Sequence, residues 1–203
     1  MGLMKRSCMT VQENWGSFAA GLLLARGFAN AVQRGSWLMS AAVGEYIGGI
    51  SGAAIFVIGG VLVHMLMSEK WENGKEEKVR GTVRLLTAVM YATSCAVQCA
   101  ERVKLDGVAA VGGELADCVV IAVMCAEGRG RVWGVIAATA VLAAGVAVTN
   151  AVGLPCDGKP AALLIDISAA FLVGNAAQKL REGAKAVPLL TGVGTAMVMD
   201  LFR

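Results

Sequence analysis

Four carboxylates stand in stretches otherwise fit for lipid. Glu45 closes the run AAVGE, Glu114 closes the near-identical AAVGGE, Asp117 follows a turn later, and Asp166 lies within LLIDIS. An ionisable group inside an apolar helix is costly. The chemistry that retains it is passage of protons, ions or a solute, or pairing with another polar group. Each acid has a polar residue on the arm before it. Arg26 and Glu45 are equidistant from Arg34–Ser36, Gln98 and Glu114 from Asp106, and Asn150 and Asp166 from Gly158. In antiparallel helical hairpins such residues lie at similar depth. The acids therefore either fix hairpin register, as interhelical polar contacts do for about 1 kcal/mol each, or line a path through a bundle.

A second polar pattern points the same way. Arg84, Thr87, Tyr91, Ser94, Gln98 and Glu101 recur at spacings of 3, 4, 3, 4 and 3, which is one face of one helix. In a bilayer such a face must meet protein or a water-filled cavity. The opposite face, with Leu85, Val89, Ala92 and Ala96, suits lipid or close packing. Close helix approach is encoded by Gly48 and Gly52 in a GxxxG spacing, with Gly59 and Gly60 beyond them. His64, the one histidine, stands near the end of the same helix, where an imidazole is usually interfacial.

The elements that position these residues follow from the apolar runs and their breakers. Of the 203 residues 57% are hydrophobic and 16% charged, where a globular chain carries about 25% charged residues. Mean hydropathy is +0.66. Tyr46 to Ser68 holds no Asp, Glu, Lys or Arg and only His64 as a base, and Val132 to Cys156 holds no acid or base; about 20 such residues cross a bilayer core. Helices are expected near 15–33, 37–68, 82–101, 107–126, 132–153 and 160–179, with a weaker one near 185–202. The expected fold is an all-α, polytopic transmembrane bundle in one membrane domain, 1–203, of three helical hairpins (about 15–68, 82–126 and 132–179) plus a possible seventh, C-terminal helix. Asp106-Gly107 and Asp157-Gly158 mark two of the turns, 51 residues apart, a spacing compatible with repeated hairpin units. The competing fold is a soluble, Ala- and Gly-rich all-α protein with buried helices.

Basic residues divide between the connections. Lys5, Arg6, Lys70, Lys75, Lys78, Arg80, Arg84, Arg129, Arg131, Lys179, Arg181 and Lys185 fall on one side; Arg26, Arg34, Arg102, Lys104 and Lys159 fall on the other. The positive-inside tendency makes the first side cytoplasmic or its equivalent, with the N-terminus there. Trp15, Trp37, Trp71 and Trp133 stand near expected helix ends, as an interfacial belt requires.

Several classes are disfavoured. Net charge is only +3 and no Lys/Arg block with interleaved aromatics occurs, so nucleic acid is not an expected partner. The six cysteines lack CxxC spacing and lie mostly in apolar segments, which reads as buried hydrophobes rather than a disulfide framework. No metal-ligand cluster, cofactor motif, nucleophile elbow or phosphate loop is present. Gln12, Glu13 and Asn14 interrupt any signal-peptide pattern.

The leading expectation is a non-enzymatic transporter or channel subunit for an ion, protons or a small cationic solute, in a bacterial inner or an organellar membrane. Its path would run along Glu45, Glu114, Asp117 and Asp166 with Arg26, Tyr91, Ser94, Gln98 and Asn150, while Gly48, Gly52 and Gly59 pack helices. The alternative is a non-transporting structural or assembly subunit of a larger membrane complex. A membrane hydrolase using the acids is a distant third. Expected partners are the lipid bilayer and either further copies of the chain or other subunits; no cofactor or metal is expected.

Overall fold

The computed structural model describes residues 14–31, 46–70, 75–106, 108–152 and 159–201. It is all-α, with seven helices and no strand among these residues. They are α1 (14–31), α2 (Tyr46–Ser68), α3 (Glu76–Asp106), α4 (Val108–Cys125), α5 (Gly130–Val152), α6 (Lys159–Arg181) and α7 (Ala186–Leu201). Helix α3 opens on Glu76 and Glu77 and α6 closes on Lys179 and Arg181, each charge complementing the helix dipole. Pro188 falls in the first turn of α7, where a missing amide hydrogen costs no helical bond. The threonines at 82, 87, 93, 149, 191 and 195 donate to the carbonyl four residues back. Those bonds satisfy hydroxyls set in apolar helices.

Helix packing departs from three serial hairpins. α3 and α4 lie against each other, but α5 makes its main contacts with α3 and α4, and α6 with α2 and α3. Small residues set these contacts. A Cβ on Gly174 would come within 2.6 Å of Val63, and one on Gly59 within 2.9 Å of Ala170, so α2 and α6 meet almost backbone to backbone. Gly145 on α5 admits Ala96 of α3 in the same way. Ala92 and Ala96 are accordingly buried by α5, whereas Leu85 on that side of α3 is exposed. The close α2 contact is thus made at Gly59 and Gly60; the surroundings of Gly48 and Gly52 lie outside the described side chains.

A contact absent from the sequence expectations joins α1 to α7. A Cβ on Gly21 would strike the carbonyl oxygen of Leu189, and one on Gly192 that of Phe18. Gly27 on α1 likewise admits Val173 of α6.

The even-numbered connections gather at one end. Ser17 donates to the Gly183 carbonyl and accepts from the Lys185 amide, tying the start of α1 to the α6–α7 link. Arg80 at the start of α3 donates to the Met67 carbonyl near the end of α2. Arg131 at the start of α5 lies over the Trp15 ring at 5.6 Å. The links themselves are short, and Gly128 (φ 53°) and Gly183 (φ 139°) take backbone angles that side chains disfavour.

Two helices, Gly130–Val152 and the Leu163–Arg181 part of α6, are long and apolar enough to cross a membrane by length and composition. Phe56–Ser68 and Ala186–Met199 are shorter apolar helices. Among the described residues, that measure does not confirm a six-span bundle.

Candidate functional site

The inward face of α3 builds a polar column. Arg84, Thr87, Tyr91 and Ser94 are all buried, as the spacing implied. Gln98 is half-buried beyond them, and the side chain of Glu101 lies outside the described set. From residue 84 to residue 98 the helix rises 14 steps, or about 21 Å at 1.5 Å per residue.

Its centre is an ion pair between α1 and α4. Nη2 of Arg26 lies 2.7 Å from each carboxylate oxygen of Asp117, and the Tyr91 hydroxyl donates to Oδ2 at 3.3 Å. Arg26 is only 1% exposed. Burying a charge at this depth is tolerable only with a partner in good geometry. Arg26 reaches 91 residues forward to Asp117; its expected counterpart across the first hairpin, Glu45, lies outside the described residues. Glu114, one turn before Asp117, is buried among the same helices.

Helix α6 faces α3 with its own polar stripe, which the sequence reading left out. Ser94 donates to Ser168 at 3.3 Å, and Asn175 donates to Thr87 at 3.5 Å. Asp166, near the start of this stripe, is buried, whereas Asn150 on α5 is exposed. The main contacts of α5 and α6 are with other helices rather than with each other. The overlooked signal was the placing of Asp166, Ser168, Asn175 and Gln178 within one apolar span.

At the basic end the column closes on a triad. Oε1 of Glu127, in the α4–α5 link, receives Arg84 Nη2 at 2.9 Å and Lys179 Nζ at 3.3 Å. Arg84 and Lys179, both counted among the basic residues of this end, are buried, since helices α3 and α6 carry them inward of the link. Glu127 is their exposed member, its side chain 45% exposed. Burial raises the pKa of its carboxyl, but the pull of Lys179 and Arg84 outweighs that and holds it below the ordinary value. Beside the triad, Ser68 donates to Gln178, which donates to Glu182, and His64 stands 3.4 Å from the Ser68 hydroxyl.

Around this interior the surface is apolar. Val57, Ile58, Val61, Leu62 and Met65 on α2, Trp133 and Ile136 on α5, and Leu190, Met197 and Val198 on α7 are exposed. Trp133 is 67% exposed and shares the basic end with Trp15; Trp37 and Trp71 lie outside the described residues. Cys95, Cys99, Cys118 and Cys125 are buried free thiols.

No protein-family model matches the chain, and no curated protein or solved structure is significantly similar to it.

Proposed function

We propose that the chain is a small polytopic membrane protein that passes an ion, protons or a small cationic solute along the column between α1, α3, α4 and α6. The observation that carries this reading is the reversal of polarity. Charged, amide and hydroxyl side chains occupy the interior, while bulky apolar side chains of α2, α5 and α7 face outward. A water-soluble bundle would lose stability both ways, exposing apolar area and burying charge. In lipid the same arrangement is expected, with α2, α5 and α6 as the main spans.

The charge balance supports a cation. Among the described side chains away from the basic end, one buried guanidinium, Arg26, stands with three buried carboxyls, Glu114, Asp117 and Asp166. A passing cation or proton would compete with Arg26 for Asp117, and the Thr87–Asn175 pair continues the polar lining toward the basic end.

The experiment is a flux assay in proteoliposomes beside a melting curve. Glu114→Gln with Asp166→Asn keeps shape and hydrogen bonding but removes charge; the expected result is a folded protein that has lost flux. Full transport by this double variant would overturn the reading.

A non-transporting subunit is favoured by one observation. Polar groups from different helices satisfy one another, as in Arg26–Asp117 and Thr87–Asn175. On that reading the amide variants are silent. Leucines at 114 and 166 then do the damage, at about 1 to 3 kcal/mol each.

A further inference from the structure

Two buried cations at the basic end share one carboxylate. Arg84 comes from α3 and Lys179 from α6, so two separate helices deliver positive charge to one point. Both bind the same oxygen, Oε1 of Glu127, rather than one each. Two positive charges against one negative leave an excess of one in a buried setting, where an uncompensated charge is costly. Nε of Arg84, a donor, is buried and makes no hydrogen bond. Donor capacity at this point thus exceeds what Glu127 uses.

The group that answers the cations is the one easily moved. Glu127 sits in a four-residue link, 126–129, that turns on Gly128, and its side chain is half in solvent while the cations are not. Rotating it outward opens the two cations to the aqueous side without disturbing a helix.

We propose that Arg84 and Lys179 form a binding site for a phosphate group, and that Glu127 is a built-in competitor occupying it. A phosphate dianion balances both cations and presents several oxygens, so the guanidinium fork and the ammonium each have their own acceptor. A monocarboxylate offers less charge, as Glu127 itself does. The ligand is either free phosphate or a phosphomonoester lipid headgroup at the membrane surface; the chemistry at the two cations is the same. Nothing in this site depends on whether the column transports.

The test uses the full-length protein in neutral-lipid nanodiscs, titrated with inorganic phosphate at constant ionic strength and followed by calorimetry. Glu127→Gln removes the competing charge from an exposed link and is expected to tighten phosphate binding about tenfold or more. Adding Lys179→Gln or Arg84→Gln to that variant is expected to abolish the gain, and Lys179→Arg to keep it. Nanodiscs containing phosphatidic acid distinguish the source: competition with inorganic phosphate identifies the headgroup, and undiminished phosphate binding identifies the free anion. Equal affinity in the wild type and Glu127→Gln overturns the proposal. So does binding that survives Lys179→Gln in a protein with an unchanged melting temperature, or failure of both phosphate and phosphatidic acid to bind Glu127→Gln.

Discussion

Asp117 takes Arg26 on both of its oxygens and Tyr91 on one, so its loss removes a carboxylate held 2.7 Å from a buried guanidinium. Asp117→Leu is expected to destabilise the fold by about 3 to 5 kcal/mol, and Arg26→Leu with Asp117→Leu to recover most of that, because removing one member of a buried pair costs more than removing both. A double-mutant cycle from denaturant melts in detergent checks it; additive losses would mean the pair is not coupled. Glu127 makes a prediction of opposite accessibility. Its folded-state pKa is lowered, so its contribution to stability is complete above the ordinary glutamate value near 4.5 and fades as pH falls through the lowered one. Glu127→Gln should therefore show a shallower fall of melting temperature in acid than the wild type, with the two curves converging below that range. That Arg84, Thr87, Tyr91 and Ser94 face inward was legible, since polar residues at helical spacing in an apolar setting have only one place to go. That Arg26 meets Asp117 was not, because a partner 91 residues away is set by packing in three dimensions.

At the scale of helices, small residues decide which elements touch. Gly21 and Gly192 bring α1 and α7 into backbone contact, while Gly194, one residue pair further along α7, has open space around it. Gly21→Ala is expected to cost about 1 to 3 kcal/mol or more by overpacking. Gly194→Ala should gain up to about 1 kcal/mol from helix propensity. Thermal melts of the two single variants suffice, and a neutral Gly21→Ala would mean that α1 and α7 are not in contact. Existence of the helices was legible from apolar runs and breakers, and the C-terminal helix, expected near 185–202, is Ala186–Leu201; α3, expected near 82–101, runs Glu76–Asp106, because its charged ends were assigned to the linkers. Neighbour relations were legible for α3 and α4, which the tight turn at Asp106 joins, but not for α5 and α6. The longer connection after Val152 leaves α5 free to lie on α3 and α4, and the glycine faces of α2 and α6 fit each other better.

For the molecule as a whole, the links at 126–129 and 182–185 and the start of α1 share one end, and basic residues cluster there. Single cysteines placed at Arg129 and at Lys159 in a cysteine-free background should react with an impermeant reagent from opposite sides of sealed vesicles. Reaction of both from one side would refute the arrangement. The Arg26–Asp117 pair has a further consequence, for synthesis. The guanidinium leaves the ribosome 91 residues before its carboxylate, a delay of roughly 5 to 18 s at about 5 to 20 residues per second. Through that interval the Arg26 guanidinium lacks the Asp117 carboxylate that it meets in the folded chain. In a chain that enters lipid as proposed, α1 should thus be among the later helices to take its final depth, completing its packing only once α4 has been translated. A nascent chain arrested just before Asp117 should leave α1 accessible to water, and one arrested well beyond α4 should not.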